Sequence, residues 1–379
     1  MEIKGDIYSF NKTFHQKAVL FFPPPEFNIT KIIAICNPII DISSNIEKES
    51  IKKYNLENGN IIFSDENNLS FFDNIENNPK VNYSPGGNVL NIIRIASWLS
   101  NMEEKTKDKF SLTLLGAIGQ DEYKNKIIDS LKSAGVKPLL QIIPNISTSK
   151  CGIGLYNKER YLISQINASN YLTKEFIEEH ENEIYENDAL LIEGYFLKEN
   201  YEICKNLCLN FKRANKYIIL TLSSVYMIKS YKDKIIEIAE NSNMILSNIK
   251  EIKTFADTEE ETPEKIFIKA HQKLHKKNRL FVVTDGVNGV YVSKYDYKME
   301  GLEFILHSYP SKIKNKENED FDGKGYAFFG GFLHQFMKEN ILESCCKIGN
   351  DVSGIIRENG GSNLPRDKII KLEKTSDIV

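Results

Sequence analysis

One pattern constrains this chain more than any other: short β-branched runs alternate with helical stretches along most of its length. The runs are KIIAICN (31–37), FSLTLLGAIG (110–119), ALLIEGYF (189–196), KYIILTLS (216–223), NMILSN (243–248) and RLFVVTDG (279–286). An amphipathic helix is expected from Glu122 to Ala134, and others over 199–214, 227–241 and 262–277. The last has a clear start, with Thr262 as N-cap and Pro263 at the first helical position. Strands alternating with helices build a mostly parallel sheet covered on both faces, so the expected fold class is α/β.

Two regions break the rhythm. Residues 38–86 and about 145–172 alternate apolar and polar residues, as in NIIF, VNYS, KCGIGLYN and RYLISQI. These read as half-exposed antiparallel strands of a small inserted β-lid. DENNLSFFDNIENNPK reads as a polar surface insert. No internal repeat is visible. The 379 residues suit one large domain with an insertion, or two domains.

The balance of residues narrows the function classes. A net charge of −3 gives no basic footprint, so a nucleic-acid partner is not expected. No apolar run approaches the ~18 residues of a membrane span, and the N-terminal residues carry no apolar signal core. A cytoplasmic protein without a membrane partner is expected. The six cysteines lack disulfide-scaffold spacing. Cys204 and Cys208 read as one face of a packed helix, and His271 and His275, in HQKLH, as two solvated histidines rather than metal ligands.

Five stretches bring chemistry-bearing residues to element ends. In NPIID, Asn37 ends a strand and Asp41 follows, where a carboxylate can accept from two sugar hydroxyls or simply cap its own turn. In YSPGGNVLNIIRIASWL, Gly86 and Gly87 let backbone approach a ligand, with Asn91 one turn into the next helix; a plain loop-to-helix turn fits equally. In SNIKE, Asn248 and Glu251 could orient waters on Mg²⁺ or cap the following helix. VTDGVNGVYV reads as a strand, a glycine turn and a second strand, against which a nucleotide base can lie; a simple hairpin fits equally. In DFDGKGYAFFGGFL, Gly323 and Gly325 flank a turn ahead of a helix expected over Tyr326–Lys338, a natural anion site. Gly330 and Gly331 would let that helix pack closely on the sheet.

The order NPIID, PGGNVLN, GAIGQDEY, RYLISQINASNYLTKE, NIKE, VTDG, GKGYAFFGGFL and GIIRENGGSNLP resembles the adenosine kinase family, within the ribokinase-like sugar and nucleoside kinases. The resemblance runs from about Lys31 to Pro365. It implies a three-layer ribokinase-like sandwich with a mostly parallel sheet and a small β-lid. Residues 1–30 would be an extension and 31–379 the ribokinase-like domain. It also implies transfer of the ATP γ-phosphate to the 5′-hydroxyl of adenosine, with ATP and Mg²⁺. Asn37 and Asp41 would hold the ribose hydroxyls, and Gly86, Gly87 and Asn91 would close around the sugar. Arg160 would be the basic lid residue, and Phe196 and Tyr226 aromatic neighbours of the nucleoside. Asn248 and Glu251 match the magnesium motif, and Thr284, Gly286 and Asn350 fall in the ATP region.

The chain departs from the family at its catalytic turn. Gly-Ala-Gly-Asp is replaced by Gly323-Lys324-Gly325-Tyr326, so Tyr326 stands at the position of the catalytic aspartate and Lys324 at that of a small residue. A phenol of reference pKa about 10 stays protonated at neutral pH and donates where the reaction needs an acceptor. Loss of a general base costs about 10²–10⁴ in rate. Lys124 replaces a family glycine and Thr221 a family asparagine. Asp320 matches a family aspartate that is not the base, and Asp322 would reach the site only if its loop refolded. The resemblance thus implies a nucleoside- or nucleotide-binding pseudoenzyme, with an active adenosine kinase using a surrogate base as the alternative. A protein partner is not identifiable from the residues.

Overall fold

The computed structural model describes residues 6–8, 28–59, 61–103, 106–274, 279–298, 300–308, 324–358 and 364–365. Gly323, Asp320, Asp322 and His275 lie outside the described residues.

Fifteen strands fall into two sheets among the described residues. They are β1 (Asp6–Tyr8), β2 (Lys31–Ile35), β3 (Ile39–Asn45), β4 (Ile61–Phe63), β5 (Asn82–Gly86), β6 (Ser111–Gly119), β7 (Lys137–Ile143), β8 (Ser149–Tyr156), β9 (Glu159–Gln165), β10 (Ala189–Glu193), β11 (Tyr217–Thr221), β12 (Met244–Asn248), β13 (Leu280–Thr284), β14 (Val290–Asp296) and β15 (Gly301–Ser308). The large sheet has the order β1-β15-β14-β13-β12-β11-β10-β2-β6-β7. From β13 to β7 every pairing is parallel, and β14, β15 and β1 add an antiparallel edge. The α/β expectation holds.

The sandwich follows from strands that are apolar on both faces. In β2, Ile32 and Ala34 join one buried cluster while Ile33 and Ile35 join the other. The first cluster takes helices Asn88–Met102, Lys324–Glu339 and Leu342–Glu358; the second takes Tyr201–Arg213, Lys232–Asn241 and Pro263–Gln272. Cys204 and Cys208 are buried in the second cluster, as their spacing suggested. The stretch expected as one helix over 227–241 is two, Val225–Ser230 and Lys232–Asn241.

Several local expectations need correction. The lid sheet, β4-β9-β8-β3-β5, is mixed rather than antiparallel, because β3 pairs with β8 and β4 with β9 in parallel. The β3–β8 direction is forced: both strands continue outward from parallel strands of the large sheet, β3 from β2 and β8 from β7. The polar insert contains helix Ser70–Glu76, which buries Phe71, Phe72 and Ile75 beneath the lid. Nor is His271 solvated. It is fully buried, stacked on Tyr295, with Nε2 3.2 Å from Ser293 Oγ. Gly330 and Gly331 serve helix–helix rather than helix–sheet packing: β-carbons there would lie 2.7 Å from Ile95 Cβ and 3.0 Å from Gly349 Cα.

Candidate active site

In the large sheet the chain runs outward from β2 through β6 to β7, then returns to lay β10 on the other side of β2. That reversal opens a crevice beyond the C-terminal ends of β2 and β10, the usual ligand position in open α/β sheets. Asn37 follows β2 and Glu193 ends β10.

Asn37 is 3% exposed. Its backbone N–H donates to Glu193 Oε2 at 2.9 Å, and its side-chain Oδ1 is buried with no hydrogen-bond partner. An unmet buried acceptor is costly and calls for a donor such as a ligand hydroxyl.

Asp41 lies in β3, opposite Ser84 of β5 and Cys151 of β8. Burial pushes its carboxyl up to about 7, while the Arg160 guanidinium draws it partly back. The carboxylate lies directly beside Gly86: a β-carbon there would come within 2.5 Å of Asp41 Cγ. Gly87 has φ +95° and caps helix Asn88–Met102 with no side-chain hydrogen bond, a conformation that favours glycine. Its backbone packs on Asn37, whose carbonyl oxygen would be 3.1 Å from a β-carbon.

One turn on, Asn91 Nδ2 donates to Pro85 O at 3.2 Å, and Arg94 Nη1 donates to Asn91 Oδ1 at 2.7 Å. Arg94 is 5% exposed. Burial lowers its pKa to about 10, and the nearby Tyr326 phenol opposes that shift. Helix Lys324–Glu339 begins two residues before its expected start, so Gly325 and Tyr326 form part of its first turn. Tyr326 is half-buried against the first cluster. Asn37, Asp41, Gly86, Gly87, Asn91 and Arg160 therefore gather in one place, with Tyr326 joined to them through Arg94.

The two aromatic candidates separate. Phe196 is fully buried in the second cluster, whereas its neighbour Tyr195 is half-buried and bonds Ser224 through its phenol. Tyr226 is exposed and meets Phe63 of the lid, ring centroids 5.4 Å apart. On the other side Tyr83 of the lid stacks on Tyr123 at 5.9 Å, beneath Lys126 Nζ at 3.8 Å. The lid thus touches the body along both flanks. Thr221 Oγ1 accepts from the Gly194 amide at 3.3 Å, so that departure is built into local structure, whereas Lys124 contributes only its backbone amide, which donates to the helix cap Asp121 at 3.3 Å.

A second group lies at the ends of β12 and β13, where Asn248 pairs with Thr284 and Gly286 follows. Asn350 reaches the end of β15, donating to Ser308 Oγ at 3.3 Å. Asn248 and Glu251 form a capping box: Asn248 Oδ1 accepts from the Glu251 amide at 2.9 Å, and Glu251 accepts from Asn248 N–H at 3.1 Å and Nδ2 at 2.6 Å. Burial raises Glu251 to about 7, and its bonds to Asn248 oppose this. Among the described residues no group of three or more His, Cys, Asp or Glu could hold a metal directly. One buried carboxylate fits Mg²⁺ that keeps its waters and arrives on nucleotide phosphates, not a protein cage.

Glu193, Arg94 and Tyr195 were not singled out from the sequence. The signals were thin: one acid closing the apolar run ALLIE, one cation inside an apolar helix, and an aromatic one position from the expected one. Among the described residues no helix is long and apolar enough to cross a membrane.

The pfkB family carbohydrate kinase profile matches residues 56–369. Adenosine kinase 2 of Arabidopsis thaliana is 28% identical, over 88% of this chain and 95% of the relative. The adenosine kinase of Dictyostelium discoideum is 26% identical, over 88% and 96%. The solved adenosine kinase of Schistosoma mansoni in complex with 2-fluoroadenosine superposes with a TM-score of 0.78 at 19% identity, covering 90% of this chain and 98% of that one. A profile match across most of the chain, on a fold with this sheet order and lid, places it: the chain belongs to the pfkB carbohydrate kinase family.

Proposed function

We propose that the protein binds a nucleoside of the adenosine class and that its phosphoryl transfer is lost or strongly reduced. The observation that carries this reading is Tyr326, a phenol in the first turn of helix Lys324–Glu339 at the position where the adenosine kinase pattern has its base. Asp41 and the unmet Oδ1 of Asn37 support ribose binding, with Gly86, Gly87 and Asn91 forming the mouth and Arg160 the lid-side charge. The solved adenosine kinase of Schistosoma mansoni in complex with adenosine and AMP supports that ligand class. ATP would lie towards Thr284, Gly286 and Asn350. Mg²⁺ would sit near Asn248 and Glu251 and, when bound, neutralise phosphate charge.

A specific observation favours the second reading, an active adenosine kinase. Arg94 lies within electrostatic reach of Tyr326, and a cation beside a phenol favours negative charge on its oxygen. The deciding assay supplies purified protein with adenosine, ATP and Mg²⁺ and measures AMP. Essentially none is expected, while turnover of about 1 s⁻¹, an ordinary enzyme rate, establishes the second reading.

A further inference from the structure

Helix Asn88–Met102 faces a conflict at its N-terminus. The capping position, Gly87, is held at φ +95° with its backbone against the Asn37 carbonyl, and it brings no side chain. No acidic residue lies in the first turn either. The free amides of that turn and the positive end of the helix dipole still need an acceptor and a negative charge.

Glu193 supplies both from another element. Its carboxylate accepts from the Asn37 amide at 2.9 Å through Oε2, and the Val89 amide lies near enough to favour its charged form. Asn37 in turn backs Gly87 through its carbonyl. The contacts close a ring from Glu193 to Asn37, Gly87, Val89 and back to Glu193, spanning the ends of β2 and β10 and the helix start. The next amide, Leu90, faces the Cys36 thiol.

We propose that Glu193 is the positioning residue of the nucleoside site: a cap borrowed from β10 that holds the Gly86-Gly87 mouth and Asn37 in one frame, so that nucleoside affinity depends on its charge. This rests on the nucleoside-binding reading above. The titratable groups facing Glu193 are Cys36 beyond β2, Cys204 on helix Tyr201–Arg213 and Tyr195 beyond β10. Burial drives all three up, so they stay neutral and Glu193 is the group among them that changes charge near neutrality. Burial raises it to about 7, against the pull of the two amides. An ionised carboxylate accepts both amides strongly, whereas a protonated one grips them weakly.

The test is adenosine binding by calorimetry for wild type and Glu193→Gln at about pH 6 and about pH 8, with unfolding temperatures measured alongside. Wild-type affinity should rise between the two. The variant should melt near wild type, bind at the higher pH at least ~10-fold more weakly, and lose part of that rise. Equal affinity and an unchanged pH response in a folded variant overturn the proposal and leave the nucleoside reading standing. A wild type that binds no adenosine overturns both. Should Glu193→Gln fail to fold, amide nitrogen shifts of Asn37 and Val89 in selectively labelled wild type decide the matter. They should titrate together with a midpoint near 7, and amides that do not move overturn the proposal.

Discussion

The carboxylate of Asp41 fills the space that a β-carbon on Gly86 would need, with Cγ only 2.5 Å from the point where that carbon would stand. The two residues lie on adjacent, paired lid strands, Asp41 opposite Ser84 and Gly86 opposite Ile39, so neither can move without the sheet. Gly86→Ala should therefore displace the carboxylate while the large sheet stays intact. We expect adenosine affinity to fall at least ~10-fold, with overpacking costing ~1–3 kcal/mol of stability. Calorimetry and thermal unfolding on the same sample check both. An unaltered affinity would remove Asp41 from the ribose site.

The Asp41 carboxyl, raised from 3.8 to about 7, gives the site a pH response. An acid raised on folding contributes stability that is full below its unfolded pKa and is lost as pH climbs through the folded one. Glu193 and Glu251, also raised to about 7, act in the same direction. Ligand-free protein should melt at lower temperature as pH rises from about 5 to about 8, and the gain on adding adenosine should grow over the same range. Glu251→Gln should make the ligand-free decline shallower. Buried His271, lowered to about 3, works the other way, with stability lost as pH falls below its ordinary 6.5.

Restoring a carboxylate at position 326 should restore chemistry if only the base is missing. Tyr326→Asp should form AMP at least ~10²-fold faster than wild type, the lower end of what a general base contributes. Its new neighbour would be Arg94, which would favour the ionised acid. A variant that binds adenosine and ATP yet stays silent would show that the preceding turn, Lys324 included, had also lost its function.

Helix Lys324–Glu339 depends on glycine where it crosses helix Asn88–Met102. A β-carbon on Gly330 would lie 2.7 Å from Ile95 Cβ and 2.9 Å from Ile92 O. Gly330→Ala should cost ~1–3 kcal/mol, read as a lower denaturation midpoint. Because the crossing lies one turn from Tyr326, adenosine affinity should weaken as well.

The parallel sheet was legible because its strands are continuous β-branched runs between helices, a pattern that local chemistry writes directly into the chain. β7 was not, since Pro138 argues against a strand; β7 tolerates it at the edge of the sheet. The lid strands were recognisable one by one, but pairings such as β3 with β8 join residues about a hundred positions apart. His271 was misread because its helix is rich in lysine, while what buries it, Ser293 and Tyr295, arrives on β14. The site divides in the same way. Asp41 and Gly86 were read from separate motifs as neighbours of one sugar, and the structure sets them side by side. Glu193 was missed because its meaning comes from a capless helix in another part of the chain.

The capping box of Asn248 and Glu251 has a consequence for judging degenerate enzymes. These side chains satisfy each other at the start of helix Ile249–Phe255, so that helix needs them whether or not an ion ever visits. A protein that stopped moving phosphate would still be penalised for discarding them. An intact motif with a second job in folding therefore says little about turnover, and a tally of surviving motifs overstates activity. The informative position is the one the fold does not require to be acidic, and in this chain that is 326.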